Sequence, residues 1–360
     1  MLLLRSNIEI KKDNVLKHSF DEVASAIIKS SWDEMTDTAE ITLRNKFIKK
    51  NQRVITEIER GNKIEMSFGY NSSLVKRFTG YVKKITTDSP FKIYAEDEAW
   101  ILKQKTITGY SDKQLTVKKL LTALQNKLGL NIPMNIVNAN IDYGIGTWEV
   151  QNETIIAVLD KLKSGGFGLL SFFRDGELFV GSPRLLASEF PTKYGNVEHE
   201  FYFDGSNANI ISHDLKWNDE TDITQVIKGT VKYPDNKSKT KYAFYLNGVA
   251  TVQDNQPEGN MITHFWYDVA EKDFIVYLKE ELKVTNYTGW HGSFTTFGDA
   301  IRTTSNNTQL GGVIRHGDKV YLRSKKEPEK DGKYLVKSVS LEFGTDGYRQ
   351  NIELHQKLTT

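Results

Sequence analysis

The sequence predicts a mainly β chain of α+β class, in which two related β-barrel, tube-like domains flank a small α/β module. Three observations carry this. Apolar and polar residues alternate through residues 1–105, helical spacing takes over near residue 106, and alternation returns near residue 208. The phrase W-[DN]-[DE]-x-T-D also occurs twice, at residues 32–37 and 217–222, each time just ahead of a β-like run. The expected division is a first barrel at 1–105, an α/β module at 106–207 (two helices and a hairpin), and a second barrel at 208–360 with its own helix-containing insertion at about 240–300.

In the first barrel, "TAEITL" sets Ala39, Ile41 and Leu43 on one face. "KIEMSFGY" sets Ile64, Met66, Phe68 and Tyr70 opposite Lys63, Glu65 and Ser67. "GYNSSL" (69–74) has the residues of a hairpin turn, and "FTGYVKKI" (78–85) reads as the returning strand. Gly80 in mid-strand predicts a bulge or a sharp corner. A turn at Asp88-Ser89-Pro90 precedes one more strand.

In the module, Val117, Leu120, Leu121, Leu124 and Leu128 recur at helical spacing, with Thr116 as N-cap and Gly129 as stop. A second helix is expected to open on Asn152 and stop at Gly165, followed by a hairpin turning at Asp175-Gly176. Beyond 208, "TQVIKGTVKY" reads as a strand, Asn247-Gly248 as a hairpin turn, and 271–284 as a helix with Phe274, Tyr277, Leu278 and Leu282 on one face. The runs "GDKVYLRS", "GKYLVKSVSLEF" and "YRQNIELHQ" end the chain as strands.

Several phrases have earlier counterparts in the same order. "GNKIEMSF" (61–68) matches "GDKVYLRS" (317–324), and "GYVKKI" (80–85) matches "KYLVKSV" (333–339). The two tryptophans lie 185 residues apart, outside any solenoid or propeller period. The Trp-to-Gly gap is 29 residues in one copy and 100 in the other, so the second carries about 71 inserted residues. Chance recurrence of a short turn phrase is the plain alternative; shared order of three elements argues for duplication. Trp32, Trp217, Asp37 and Asp222 then mark the repeat. Each Trp is expected to plug the same corner of its barrel, or else to make a contact across an interface.

A chain of 360 residues implies two or three domains. Net charge is only +2, so nothing global points to nucleic acid as the main ligand. Cysteine is absent, which excludes disulfides and thiolate sites. "MLLLRSNIEI" has too few leucines for a signal-peptide core, and no apolar run approaches a membrane span; synthesis in the cytoplasm and no membrane insertion are expected.

No catalytic, cofactor or metal site is expected. Glu96, Asp97 and Glu98 form an acidic triplet, read as a solvated face or a subunit contact, because strand neighbours point to opposite sides and no acid/base partner is evident. "GGFG" (165–168) follows a helix instead of opening one, so it reads as a stop and not a phosphate cradle. His199, His264 and His291 lack metal-ligand spacing and read as ordinary polar or half-buried positions. "RSKKEPEKDGK" (323–333) alternates in sign around Pro328 and reads as a solvated loop.

The order of "SFGYNSSLVKRFTGYVKKI" (67–85), "FKIYAEDEAWILKQ" (91–104) and "GSFTTFGDAIRTT…GGVIRHGDKVYLRSKKEPEKDGKYLVKSVSLEFGTDGYRQNIEL" (292–354) resembles the baseplate hub proteins of contractile phage tails, the late control protein D family, and the N-terminal halves of type VI secretion spike proteins. The resemblance spans nearly the whole chain. It implies a structural, non-enzymatic virion protein of the tail baseplate, made in a bacterial host. Three subunits with two barrels each would form a pseudo-sixfold ring joining the tail tube to a threefold spike. Because the chain ends at Thr360, the spike is expected to be a separate protein. Expected partners are two further copies of the chain, the tail tube protein, that spike, and the tape-measure protein or DNA passing through the lumen. The rival readings are a β-rich, cell-wall-directed glycoside hydrolase, which needs two carboxylates at glycosidase spacing, or a carbohydrate-binding protein, which needs a row of exposed aromatics.

Overall fold

The computed structural model describes residues 3–43, 48–49, 52–53, 57–71, 73–86, 90–128, 132–136, 144–164, 169–181, 198–218, 225–233, 235, 237–246, 249–267, 269–285, 287–304 and 307–358. Asp88-Ser89, Asn247-Gly248, Gly129, Gly165 and Asp222 lie outside these residues. The fold is mainly β with small helical insertions, and the chain divides into two units, 1–101 with 198–215 and 292–354, and 102–197 with 216–291 and 355–360.

The first unit is built on a sheet of thirteen strands. They are β1 (Leu4–Lys12), β2 (Val15–Phe20), β3 (Ser25–Ser31), β4 (Thr38–Leu43), β5 (Lys63–Tyr70), β6 (Ser73–Thr86), β7 (Phe91–Glu96), β8 (Glu198–Tyr202), β9 (Ile210–His213), β10 (Ser293–Phe297), β11 (Lys319–Arg323), β12 (Gly332–Gly344) and β13 (Gly347–Leu358). The alternation read from the sequence sets which face is buried: Ala39, Ile41 and Leu43 point inward from β4, and Ile64, Met66 and Phe68 from β5.

Two sets of six strands share one pairing order. The first set runs β3-β4-β7-β6-β5-β1 and the second β9-β10-β13-β12-β11-β8, and corresponding strands follow in the same order along the chain. Each set carries a small hairpin at the same place. Ile48–Lys49 pairs with Gln52–Arg53 between β4 and β5, and Ala300–Thr304 pairs with Asn307–Gly312 between β10 and β11. The sets differ at their last member, since β1 is antiparallel to β5 whereas β8 runs parallel to β11.

The turns before β5 and β11 repeat bond for bond. The Gly61 N–H donates to Val82 O at 2.8 Å, and the Gly317 N–H to Val336 O at 2.8 Å. Val82 and Val336 return bonds to Asn62 O and Asp318 O at 2.8 and 2.9 Å. The side chains of Asn62 and Asp318 each accept the backbone N–H three residues upstream, from Glu59 and Arg315, both at 2.9 Å. Gly61 and Gly317 take φ of +89° and +83°, a region that strongly favours glycine. A duplicated unit accounts for such coincidence; two unrelated turns do not.

The copies are fused through β12. Its residues Gly332–Leu335 pair with β11 of its own set, while Ser338–Gly344 pair with Ser31–Ser25 of β3 in the other. Leu341, Phe343 and Tyr348 consequently pack into the core that Ile8, Ile10, Ile41, Ile64, Met66, Phe68 and Ile93 form in the first copy. Each such fully buried side chain contributes roughly 1.5–3 kcal/mol of transfer free energy.

The second unit has a six-stranded sheet ordered Tyr110–Thr116, Gly144–Val150, Asn260–Tyr267, Gln225–Lys232, Ser238–Leu246, Val249–Gln253. The helix Glu271–Thr285 buries Phe274, Tyr277, Leu278 and Leu282, and it lies close on Gly229, where a Cβ would meet Phe274 at 2.5 Å. The helix Val117–Leu128 buries Val117, Leu120, Leu121 and Leu124, and Thr116 Oγ1 accepts the Lys119 N–H. The expected hairpin forms between Leu170–Arg174 and Glu177–Gly181, with Asp175 and Gly176 both at positive φ. One expected boundary is corrected. The second helix begins at Ile155, capped by Thr154, because Glu153–Thr154 is first used to pair with Thr106–Ile107, leaving Asn152 in a left-handed turn. Residues 240–291, read from the sequence as part of an insertion in the second barrel, belong to this unit.

The repeated turn yields a paired expectation. Gly61→Ala and Gly317→Ala should each cost about 1–2 kcal/mol in urea unfolding, the strain of an L-residue at positive φ. Gly61→Ala should cost more, since its Cβ would lie 3.0 Å from the Trp100 ring. A neutral result at either position would contradict the assigned turn.

Candidate functional site

The features of the first unit that bear on assembly are its internal joint and its unpaired edges. The joint is built around Arg77. In the β5–β6 pairing Met66 faces Phe78 and Ser67 faces Lys76, so Arg77 is the extra residue of a bulge and its side chain is re-aimed. Its guanidinium donates to Asp299 Oδ1 at 2.7 Å, to Gly298 O at 2.6 Å and to the Tyr348 hydroxyl at 2.7 Å. The Arg77 and Asp299 side chains are 2% and 3% exposed. Removing one partner of such a pair costs about 3–5 kcal/mol, because the other charge stays buried alone. The Tyr70 hydroxyl adds a bond to Tyr348 O at 3.1 Å, and Phe68, Tyr70 and Phe343 pack around the Tyr348 ring. Burial pushes the Tyr348 phenol well above its ordinary value.

The first Trp phrase lies on the same joint. Trp32 is fully buried and its backbone N–H donates to Lys337 O at 3.4 Å, while Asp33 pairs with the Lys337 ammonium at 3.2 Å. Lys337 also reaches Glu353 at 3.0 Å. Asp37 Oδ1 accepts the Ser31 N–H at 3.2 Å, and the Asp37 N–H donates to Asp97 Oδ2 at 3.1 Å. Asp97 in turn accepts the Ala99 N–H at 3.0 Å, opening the helix Ala99–Gln104. Ser30 Oγ lies 2.7 Å from His316 Nδ1, so the second copy contributes to this cluster. The Asp37 residue is half-buried, but its carboxyl is enclosed by protein; desolvation pushes its pKa up to about 7, opposed by bonds from Ser30 and Ser31. Asp97 is likewise raised well above the carboxylate range, first by desolvation and then by the Asp37 charge. Two carboxyls that grip backbone amides in this way hold loops together.

Two sequence readings change here. Glu96 and Asp97 are not on a solvated face: both are buried, Glu96 pairing with Lys83 at 2.5 Å. The β6–β7 pairing slips by one residue at Lys83, which leaves that lysine free to reach Glu96. His199 is fully buried, 3.8 Å from Asp318. His264 pairs with the buried Glu281 at 3.1 Å, and His291 stacks on Tyr287. "GGFG" falls outside the described residues.

Trp217 has other surroundings than Trp32. It is half-buried in the short strand Lys216–Asn218, paired with Gly289–His291, with the Trp290 ring edge-on at 5.2 Å and the Lys357 ammonium 5.4 Å above it. Asp37 and Trp32 are thus brought together in the first unit, Trp217 sits in the second, and Asp222 is outside the described residues.

The unpaired edges of the first unit are β2, β8 and the outer side of β9, each with one strand partner among the described residues. β2 exposes Val15 and Leu16 at 57% and 52%, and β9 exposes Ile211 at 40%. Open edges with apolar side chains invite strand addition. Among the described residues no group of three or more His, Asp or Glu is arranged to hold a metal, and no helix is long and apolar enough to cross a membrane.

The Asp37 carboxyl generates a pH expectation. Its native pKa lies above that of the unfolded chain, so its stabilising contribution is complete below about pH 4 and is lost as pH rises through about 7. Asn at position 37 keeps the acceptor for Ser31 and cannot ionise. Between pH 4 and 8, Asp37→Asn should therefore lose less stability than the parent in denaturant titrations. Parallel pH profiles would contradict this placement of the carboxyl.

No protein-family model matches the chain, and no curated protein matches it. Solved structures do. A tail protein from Neisseria meningitidis superposes with a TM-score of 0.59 at 13% identity, covering 98% of this chain and 96% of its own. The 43 kDa tail protein of prophage MuSo2 from Shewanella oneidensis gives 0.57 at 12%, covering 98% of both chains. An Escherichia coli type VI secretion component, described as similar to bacteriophage T4 tail proteins, gives 0.53 at 10%, with 97% of this chain matching 76% of that one. End to end, the chain has the fold of phage tail proteins.

Proposed function

We propose that this protein is a structural baseplate hub of a phage tail or a phage-tail-like injection device. Three copies form a pseudo-sixfold ring that joins the tail tube to a separate spike, with the tape-measure protein or DNA passing through its lumen, and the ring has no catalytic role. The single observation that carries this reading is the pairing of β3 with the second half of β12, which joins one copy of the six-stranded set to the other. By the repeat, β9 corresponds to β3 and β6 to β12. Among the described residues β9 has an open side, and Lys84–Thr86 of β6, the stretch equivalent to the start of Ser338–Gly344, pairs only with β7. The contact made within the chain is therefore available once more between chains: the stretch that follows β9 in one subunit adds beside Lys84–Thr86 of the next, with Lys216, which precedes Trp217 as Ser31 precedes Trp32, opposite Lys84. Repeating that contact three times closes a ring of six equivalent positions.

The fold shared with tail proteins supports the same reading, as do the apolar side chains on the open edges. In this scheme the Trp32 phrase seals the junction within the chain, and Trp217 is its counterpart at the junction between chains.

Cross-linking tests the proposal directly, because the chain has no cysteine of its own. The double variant Lys84→Cys/Lys216→Cys, at the counterparts of the paired Ser338 and Ser31, oxidised in the presence of a cognate tail tube protein, should yield covalent species up to a closed trimer. Each single variant should give no closed trimer. Exclusively monomeric product from the double variant in the assembled particle would overturn the proposed junction.

A further inference from the structure

The second unit contains a groove lined by its own strands. Its cavity measures about 640 Å³ and lies between the strand Tyr110–Thr116, the strand Gly144–Val150 and the start of the strand pair around Lys232 and Ser238. That size suits one or two sugar rings. Lys113, Lys232 and Lys237 line it, and among the described residues no aspartate or glutamate does. Lys113 makes no ion pair among the described residues. Among the described residues Lys237 pairs only with the exposed Asp235, a surface pair of little worth. The field inside the groove is therefore positive.

Tyr267 and Tyr233 supply its aromatic wall. The Tyr267 ring is positioned by two glycines. A Cβ on Gly146 would come within 2.8 Å of the ring and one on Gly144 within 1.9 Å of Tyr267 O, so only glycine lets that strand lie against it. The Lys232 ammonium stands 5.9 Å from the centroid of the same ring. Hydroxyls of Thr116, Thr147 and Ser238 complete the lining, and each can both donate and accept.

We propose that this groove binds a saccharide carrying an anionic group, a phosphate or a carboxylate. An aromatic face packs against the C–H face of a sugar ring, hydroxyls match its hydroxyls, and the lysines take the anion. Nucleic acid suits it less. Among the described residues the lining contains no arginine, the residue whose planar fork reads bases and grips phosphates in pairs. This inference does not depend on the ring proposed above.

Calorimetric titration of the full chain tests it with five probes: glucose 1-phosphate, a uronic-acid disaccharide, the neutral disaccharide maltose, inorganic phosphate, and a single-stranded oligonucleotide. The two anionic sugars should bind at least about tenfold more tightly than maltose, the worth of one charge-assisted hydrogen bond. They should also exceed inorganic phosphate. Lys113→Gln/Lys232→Gln should weaken that binding by about tenfold or more at unchanged melting temperature, while Lys118→Gln, outside the groove, leaves it unaltered. The proposal is overturned if no sugar probe binds at millimolar concentration, if inorganic phosphate binds as well as the sugar phosphate, or if the oligonucleotide binds most tightly.

Discussion

Strand β12 pairs with both six-stranded sets at once, and the rest of the first unit depends on that. Its first residues close the second copy against β11, and its last seven extend the first copy beyond β3. Backbone pairing alone would leave a seam open to water. The seam is closed by Leu341, Phe343 and Tyr348, which enter the first copy's core, and by the Arg77–Asp299 pair beneath them. A buried ion pair is a poor source of net stability, since desolvation offsets most of its attraction. Its value here is directional: a planar guanidinium with three fixed acceptors admits one relative placement of bulge, loop and Tyr348.

The same seam explains why acidic residues are buried beside it. Asp37 and Asp97 accept backbone N–H groups that no strand partner can satisfy where β3 turns into β4 and β7 ends. Their raised pKa values are the consequence of providing acceptors in a desolvated place, and the pair needs no catalytic explanation.

Much of this was legible in the sequence. Alternation marked β4, β5 and their inward residues, helical spacing marked the 117–128 and 271–285 helices, and the matched "GNK" and "GDK" phrases mark two turns with the same hydrogen bonds. What was not legible depends on distant contacts. Arg77 reads as an ordinary exposed strand residue until the bulge turns it inward, and Glu96-Asp97 reads as surface charge until its bonds to Lys83, Asp37 and Ala99 place it inside. Asn152 looked like a cap because pairing of Glu153–Thr154 with Thr106–Ile107 has no local signal. Nor does any periodicity announce that 102–197 and 216–291 join in one unit. The groove lined by Lys113 and Lys232 escaped for the same reason, since its residues come from three separated stretches.

The central claim is that the two six-stranded sets are adjacent members of one pseudo-sixfold ring. Closed symmetry fixes the angle between them at about 60°, a full turn divided by six. The most direct measurement is an experimental structure of the assembled particle, with β3-β4-β7-β6-β5 superposed on β9-β10-β13-β12-β11 within one chain. The account predicts a rotation near 60° about an axis beside the sheets. A rotation near 180°, or an axis running through them, would contradict it.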